Sequence, residues 1–307
     1  MGRKLVLALA LLFVTGCTSA GTGQSADLFP GCGNSAALGN GIVLMPHHLL
    51  VEDYIEAMYE SLDSEDWQHV VIVSPDHFHT GATHISTPPE TEHGFTVHRD
   101  LVGEVFPDAT LEGFMLQSEA TEAEVVDFVD ELLALETAYS PESTLFIFSI
   151  DFSHYLPGQI AHVHDLRSMD ILQARDVTAA RSVEVDSPVA VEVLLRLLVA
   201  KEAVLTNMLN TNPSYDIGVD TFENTTHVFA CSTGLVGDAP TRDLTVEMFF
   251  AHPEDWYKGL TAEDRYLYGY DETNFDQLSL DPNAHDHAVI TNSAKGSTTE
   301  FIFDYFE

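Results

Sequence analysis

The chain has 307 residues, with 12 Lys plus Arg against 49 Asp plus Glu, for a formal net charge of −37. A balance this acidic argues against nucleic acid or an anionic lipid surface as the main partner, because each is bound through a basic patch. Charged residues make up only 20% and apolar residues 45%, with 18 Phe and 10 Tyr, so the acidity reflects missing cations on a chain that can bury a large core, not a disordered acidic tail.

The first elements are those of a leader: Arg3 and Lys4, an apolar run from Leu5 to Val14, then Gly16-Cys17. This reads as a lipoprotein signal over residues 1–17, with Cys17 the acylated first residue of the mature chain. A plain signal peptide or a single anchor are the alternatives, the run being short for a span. On the lipoprotein reading the protein is exported and lipid-anchored at the cell envelope, meets the membrane through lipid only, and residues 18–39 form a polar tether and entry segment. Cys32 and Cys231 then remain in a compartment that permits disulfides. They form one bridge or stay as two separately buried thiols, and neither has the Cys-x-x-Cys spacing of a metal pair.

Residues 40–237 alternate short apolar runs with amphipathic segments, the pattern of an α/β domain with a single sheet and helices on both faces. Gly41 to Met45 predicts a strand, Val51 to Leu62 a helix, His69 to Ser74 a strand, and Thr110 to Leu116 another. Thr121 to Leu135 carries a helical apolar stripe of Val125, Val126, Phe128, Val129, Leu132 and Leu133. Thr144 to Ile150 is continuously apolar, as a strand covered on both faces should be. Val163 to Arg175 and Ser187 to Ala200 read as helices, the second with Pro188 in its first turn, and Leu205 to Leu209 and His227 to Cys231 as closing strands. Residues 238–307 lose this periodicity and form a short C-terminal extension: a packed appendage, a linker or the stub of a second module.

Four polar clusters follow predicted strands: Met45-Pro46-His47-His48, Ser74 to His79, Asp151-Phe152-Ser153-His154, and Asn210 to Asp220. Ligands of open α/β sheets bind beyond the carboxyl ends of the strands, so these clusters should converge on one crevice. His47 and His77 are the natural imidazole pair for a divalent metal, with Asp216 the best-placed carboxylate. Two imidazoles and one carboxylate leave positions open for ligand, as in non-haem Fe(II) sites, with Cu or Zn as other ions for such donors. His48 and His79 neighbour the ligands and either orient them at the pocket or face solvent in their loops, while His162 and His164 near a helix start read as solvent-facing, and Asp186-Ser187-Pro188 as a helix start. His154 would move protons, with Asp151 orienting its ring, or the two residues cap the turn that follows the strand. No phosphate-binding glycine loop and no Gly-x-Ser-x-Gly elbow is present in the sequence.

The same residues carry a family resemblance. Pro46-His47, Val71 to Ser74 followed by Pro75-Asp76-His77, Glu92-His93 with His98 beyond, and Ser149-Ile150-Asp151-Phe152-Ser153-His154 resemble, in order and approximate spacing, the motifs of the Memo family. That family includes AmmeMemoRadiSam system protein B and is a structural relative of the class III extradiol dioxygenases. The resemblance spans roughly residues 40 to 235 and implies an extradiol-dioxygenase-like fold. It implies that His47 and His77 bind metal, that His154 is the acid or base with Asp151 beside it, and that His93 lines the pocket. It also implies a third ligand in the loop before the last core strand, where Asp216 is the closest match and Ser214 or Asp220 the alternatives. The chain departs from the family in His48-Leu49-Leu50, where Ala-Gly-Tyr is usual, and in Thr96, where an acidic residue is usual.

Three functions fit these residues: a metal-dependent redox enzyme of extradiol type, a non-enzymatic protein binding metal or a peptide in the crevice, and a metal-dependent hydrolase. In each, a small molecule or peptide occupies the strand-end crevice. The sequence leaves the oligomeric state open.

Overall fold

The computed structural model describes residues 29, 32, 41–62, 67–154, 158–211, 225–234, 287–291 and 300–304. The strands are β1 (Ile42–Met45), β2 (His69–Pro75), β3 (Ile85–Ser86), β4 (Thr110–Leu116), β5 (Thr144–Ser149), β6 (Ala203–Thr211) and β7 (His227–Gly234). They form one seven-stranded mixed sheet in the order β3-β4-β2-β5-β1-β7-β6. The central four, β4, β2, β5 and β1, are parallel, while β3 at one edge and β7 and β6 at the other are antiparallel. A separate antiparallel pair, β8 (His287–Thr291) and β9 (Glu300–Asp304), lies within the C-terminal extension.

Five helices accompany the sheet among the described residues: α1 (Glu52–Ser61), α2 (His93–Val105), α3 (Glu122–Tyr139), α4 (Gly158–Ala174) and α5 (Pro188–Ala200). Because successive strand residues point to opposite faces, β1 sends Val43 and Met45 to one core and Ile42 and Leu44 to the other. The first core is closed by Ile55, Met58 and Tyr59 of α1 and Val102 of α2. The second is closed by α3, α4 and α5, with Val125, Phe128, Val129 and Leu132 of α3 at helical spacing. Helices therefore cover both faces, which is why Leu145 to Phe148 of β5 are wholly buried.

Local chemistry sets the boundaries. Thr121 and Glu124 form a reciprocal capping box that starts α3, and Ser187 caps α5 with Pro188 in its first turn. Gly41 enters β1 at φ +55°, where a Cβ would lie 2.2 Å from the Thr144 carbonyl, so no other residue fits there. Val126, expected in the α3 stripe, is instead 40% exposed, because it falls off the face spaced three and four residues apart. The helix expected from Val163 begins five residues earlier, at Gly158. β3 and α2 have no counterpart among the elements expected from the sequence. Cys32 and Cys231 are joined in a disulfide that ties the entry segment to β7.

The leader, Cys17, and Asp216 with its alternatives Ser214 and Asp220 lie outside the described residues. Among the described residues no helix is long and apolar enough to cross a membrane.

Candidate metal centre

The carboxyl ends of β1, β2 and β5 lie side by side, so the segments that leave them meet. His47 follows β1, His77 follows β2, and Asp151 and His154 follow β5. Together with His48, His93 and Asp186 they line a pocket of about 470 Å³. Three of the four expected clusters thus converge, and the fourth lies largely outside the described residues.

His47 is buried, and its ring is held from behind. Ser149 Oγ donates to the Gly94 carbonyl at 2.6 Å and lies 2.9 Å from His47 Nδ1. With its only proton committed to Gly94, Ser149 must accept from His47, so Nδ1 carries the hydrogen and Nε2 is bare. That bare nitrogen faces Asp186 Oδ2 at 3.3 Å and Asp151 Oδ2 at 3.5 Å. Burial, followed by the nearby His77, His93, His98 and His154, holds the His47 pKa well below its ordinary value, so the ring stays neutral.

His77 is fixed the same way. Glu92, fully buried, accepts from His77 Nδ1 at 2.6 Å and from the His77 backbone N–H at 3.1 Å. It also caps α2 by accepting from Gly94 N at 3.1 Å, so one carboxylate joins the β2 loop to the helix. His77 Nε2 then points toward Asp186 Oδ2 at 3.7 Å. Burial pulls the His77 pKa down, but hydrogen bonds and charge from Asp186 and Glu92 outweigh it and raise it to about 9.

Asp151 and Asp186 are bound to each other's backbones: Asp186 N donates to the Asp151 carbonyl at 3.0 Å and Asp151 N to Asp186 Oδ2 at 3.2 Å. Burial first, then the charge of Asp186, push the Asp151 carboxyl well above the usual carboxylate range. A bare imidazole nitrogen crowded by two carboxylates is unfavourable unless a cation or proton sits between them. Two donors bound to one ion at about 2.1 Å and about 90–110° apart lie about 3.0–3.4 Å from each other, close to the spacings around Asp186 Oδ2. Among the described residues two groups can hold a metal ion, His47 with His77 and His93, and His47 with Asp151 and Asp186, each with its ligand atoms within 4.8 Å of one another.

The other expected residues divide. His48 and His93 line the pocket, with the His93 ring 5.1 Å from that of His47 and 4.1 Å from that of His77. His79 does not: it is 57% exposed, faces Glu119 at 3.6 Å, and lies on an adjoining cavity of about 200 Å³ beside Asp76. His154 lines the pocket and its pKa is lowered, mainly by burial. Asp151 does not orient it, since Asp151 Oδ1 accepts from His47 N at 3.0 Å and Oδ2 faces His47 Nε2. His164, expected to face water, is buried in α4, and burial lowers its pKa to about 4. His98 is buried behind Pro46 against the Tyr59 hydroxyl at 3.1 Å, away from the pocket lining.

Sequence reasoning missed Asp186, Glu92 and Ser149 as site residues. Asp186 reads as a helix start because it precedes the N-cap Ser187, and nothing in its neighbours shows that its loop crosses back over the strand ends. Glu92 did carry a signal, an acidic residue directly before His93 in the position of a helix cap. No protein-family model matches the chain, and no curated protein matches it.

Proposed function

We propose that the protein is a Memo-like metal-binding protein, and that its pocket is a mononuclear centre of extradiol-dioxygenase type held by His47, His77 and Asp186. The observation that carries this reading is the bare Nε2 of His47, fixed by Ser149 and set against two carboxylates. The order of the Memo-like motifs supports the family, and the parallel strand ends that present His47, His77, Asp151 and His154 are compatible with the extradiol fold. Asp186 is the described carboxylate that lies near both imidazoles, while Asp216, expected in this role, lies outside the described residues.

A divalent ion in this donor set, Fe(II) by preference and Cu or Zn as alternatives, would supply a Lewis-acidic centre, redox-capable with Fe or Cu but not with Zn, with positions left for a small-molecule ligand. The remaining chemistry belongs to the chain. Ser149 and Glu92 engage the Nδ1 atoms of His47 and His77, which leaves the Nε2 atom of each ring for the ion. His154, neutral and lining the same pocket, is placed to take or return a proton of a bound ligand, and His48 faces the same space. On this reading residues 1–17 deliver the domain to the cell envelope and Cys17 carries the lipid, which mass spectrometry of the native amino terminus tests.

Metal content after anaerobic purification, followed by oxygen uptake with a panel of catechols, tests the function. One equivalent of iron and metal-dependent uptake is the expected result. Stoichiometric metal without uptake leaves a non-enzymatic metal-binding protein, and no bound metal under any loading condition overturns the centre itself.

A further inference from the structure

His93 occupies the first position of α2, and its placement follows from Glu92. The buried Glu92 carboxylate accepts from Gly94 N, which fixes the first turn of the helix, and from both the backbone and the ring of His77. The helix start and the β2 loop are therefore one unit, and His93 is carried to the same side of the pocket as His77. Glu92 Oε1 lies 2.6 Å from His77 Nδ1 and 3.8 Å from His93 Nδ1. The carboxylate hydrogen-bonds His77, the arrangement by which an outer carboxylate leaves the far nitrogen of a ligating histidine bare, and its charge lies near His93 without a hydrogen bond to it.

The rings complete the geometry. His93 stands edge-on to His47 with centroids 5.1 Å apart and an interplanar angle of 76°, and His47 and His77 are related almost identically at 5.0 Å and 82°. Ligand atoms of all three rings lie within 4.8 Å of one another. The His93 side chain is 51% exposed, so the turn about its own side-chain torsions needed to bring its nitrogen onto a shared ion meets no packed core.

We infer that His93 is a third imidazole ligand, which makes the centre a three-imidazole, one-carboxylate site able to hold Cu²⁺ and Zn²⁺ as well as the Fe(II) of the proposed function. The inference rests on the metal-binding reading of His47, His77 and Asp186, and assigns His93 to the ion itself instead of to the pocket wall. Three imidazoles make the site softer than a two-imidazole one and shift its preference along the series toward Cu²⁺ and Zn²⁺.

Titration of the purified, chelator-treated protein with Cu²⁺ alone, read by calorimetry and by pulsed electron paramagnetic resonance, tests it. The wild-type protein should bind one equivalent with three coupled imidazole nitrogens. His93→Ala should keep the fold and one equivalent, show two coupled imidazoles, and bind about 100-fold or more weakly, beyond the loss typical of an outer partner. Two imidazoles in the wild type, or a His93→Ala variant with unchanged spectrum and affinity within about threefold, overturns the assignment of His93 while leaving the centre intact. Failure of the wild type to bind, or His47→Ala binding as well as the wild type, instead overturns the reading beneath it.

Discussion

Ser149 fixes the tautomer of His47. Its hydroxyl donates to the Gly94 carbonyl at 2.6 Å, so at 2.9 Å it can only accept from His47 Nδ1, and the bare Nε2 is turned into the pocket. Ser149→Ala removes the acceptor and frees the ring to rotate or change tautomer. Metal affinity should fall about 10–100-fold, the usual effect of losing an outer hydrogen-bond partner, while the melting temperature of the metal-free protein drops only modestly. Calorimetric titration of the variant with Zn²⁺ checks it, and an unchanged affinity would show that packing alone orients His47.

The pairing of His77 with Glu92 makes binding depend on pH. The metal-free His77 pKa is raised from 6.5 to about 9, burial being overcome by the nearby Asp186 carboxylate and the hydrogen bond to Glu92. A raised folded value means that the protonated ring stabilises the metal-free fold. That contribution is fully present below about 6.5 and is lost as pH rises through about 9. The ion needs the same Nε2 bare, so affinity should rise with pH up to about 9, by at most about tenfold per unit, with a proton released on binding. Titrations near neutral pH in two buffers of different ionisation enthalpy should give different apparent heats, and Glu92→Gln should shrink the difference. Equal heats in both buffers would refute the coupling.

The strand-end histidines were legible because a buried parallel sheet advertises itself. β1, β2 and β5 are short apolar runs, and the polar residues that follow them must lie at one end of the sheet. α2 was not legible from periodicity: Gly94 and Gly103 and the β-branched Thr96, Val97, Val102 and Val105 weaken its intrinsic preference, and the helix exists because Glu92 caps it and Val102 packs on the core. Asp186 was hidden for a different reason. Its role depends on the loop before α5 crossing back to exchange bonds with Asp151, a long-range contact that no local pattern encodes.

Asp186→Asn should separate metal binding from folding. The carboxylate has Oδ2 within 3.3 Å of His47 Nε2 and 3.7 Å of His77 Nε2, so its loss should abolish stoichiometric metal. The same charge helps to push Asp151 above the usual carboxylate range, after burial itself, but it also supports the protonated His77, so the two effects oppose and the metal-free variant should melt close to the parent. Thermal melts with and without Zn²⁺ decide it. At about 100 times its dissociation constant the ion should stabilise the wild type by about 2.7 kcal/mol and the variant not at all. An equal shift in both would remove Asp186 from the ligand set.

The Cys32–Cys231 bridge closes a loop of 199 residues. In the chain-entropy account such a loop is worth about 5 kcal/mol, and both sulfurs sit in the core that α1 and α2 close, where Phe29 also packs on Phe229. Cys231→Ser or full reduction should therefore lower the melting temperature by about 10 °C or more. A reduced protein that melts with the oxidised one would show that the entry segment contributes little to the fold.

His154 is the residue whose loss should separate chemistry from binding. It lines the same pocket as His47 and His77, but its segment is anchored elsewhere: His154 bridges to Thr225, and the preceding Ser153 donates to the buried Asp165 at 2.8 Å. Asp165 also accepts from Thr226 at 2.8 Å, so the strand-end turn and the entry to β7 hold each other independently of the metal ligands. Burial lowers the His154 pKa, which leaves the ring neutral and able to accept a proton near neutral pH. With a catechol that supports oxygen uptake, His154→Ala should retain one equivalent of metal and its melting temperature while turnover falls about 100-fold or more. The pH dependence of the residual rate should lose the limb that the imidazole supplied. If His154→Ala loses metal as completely as His47→Ala, His154 belongs to the ion's own ligands, and the proton must be moved by another group in the pocket, with His48 the nearest in sequence to the centre.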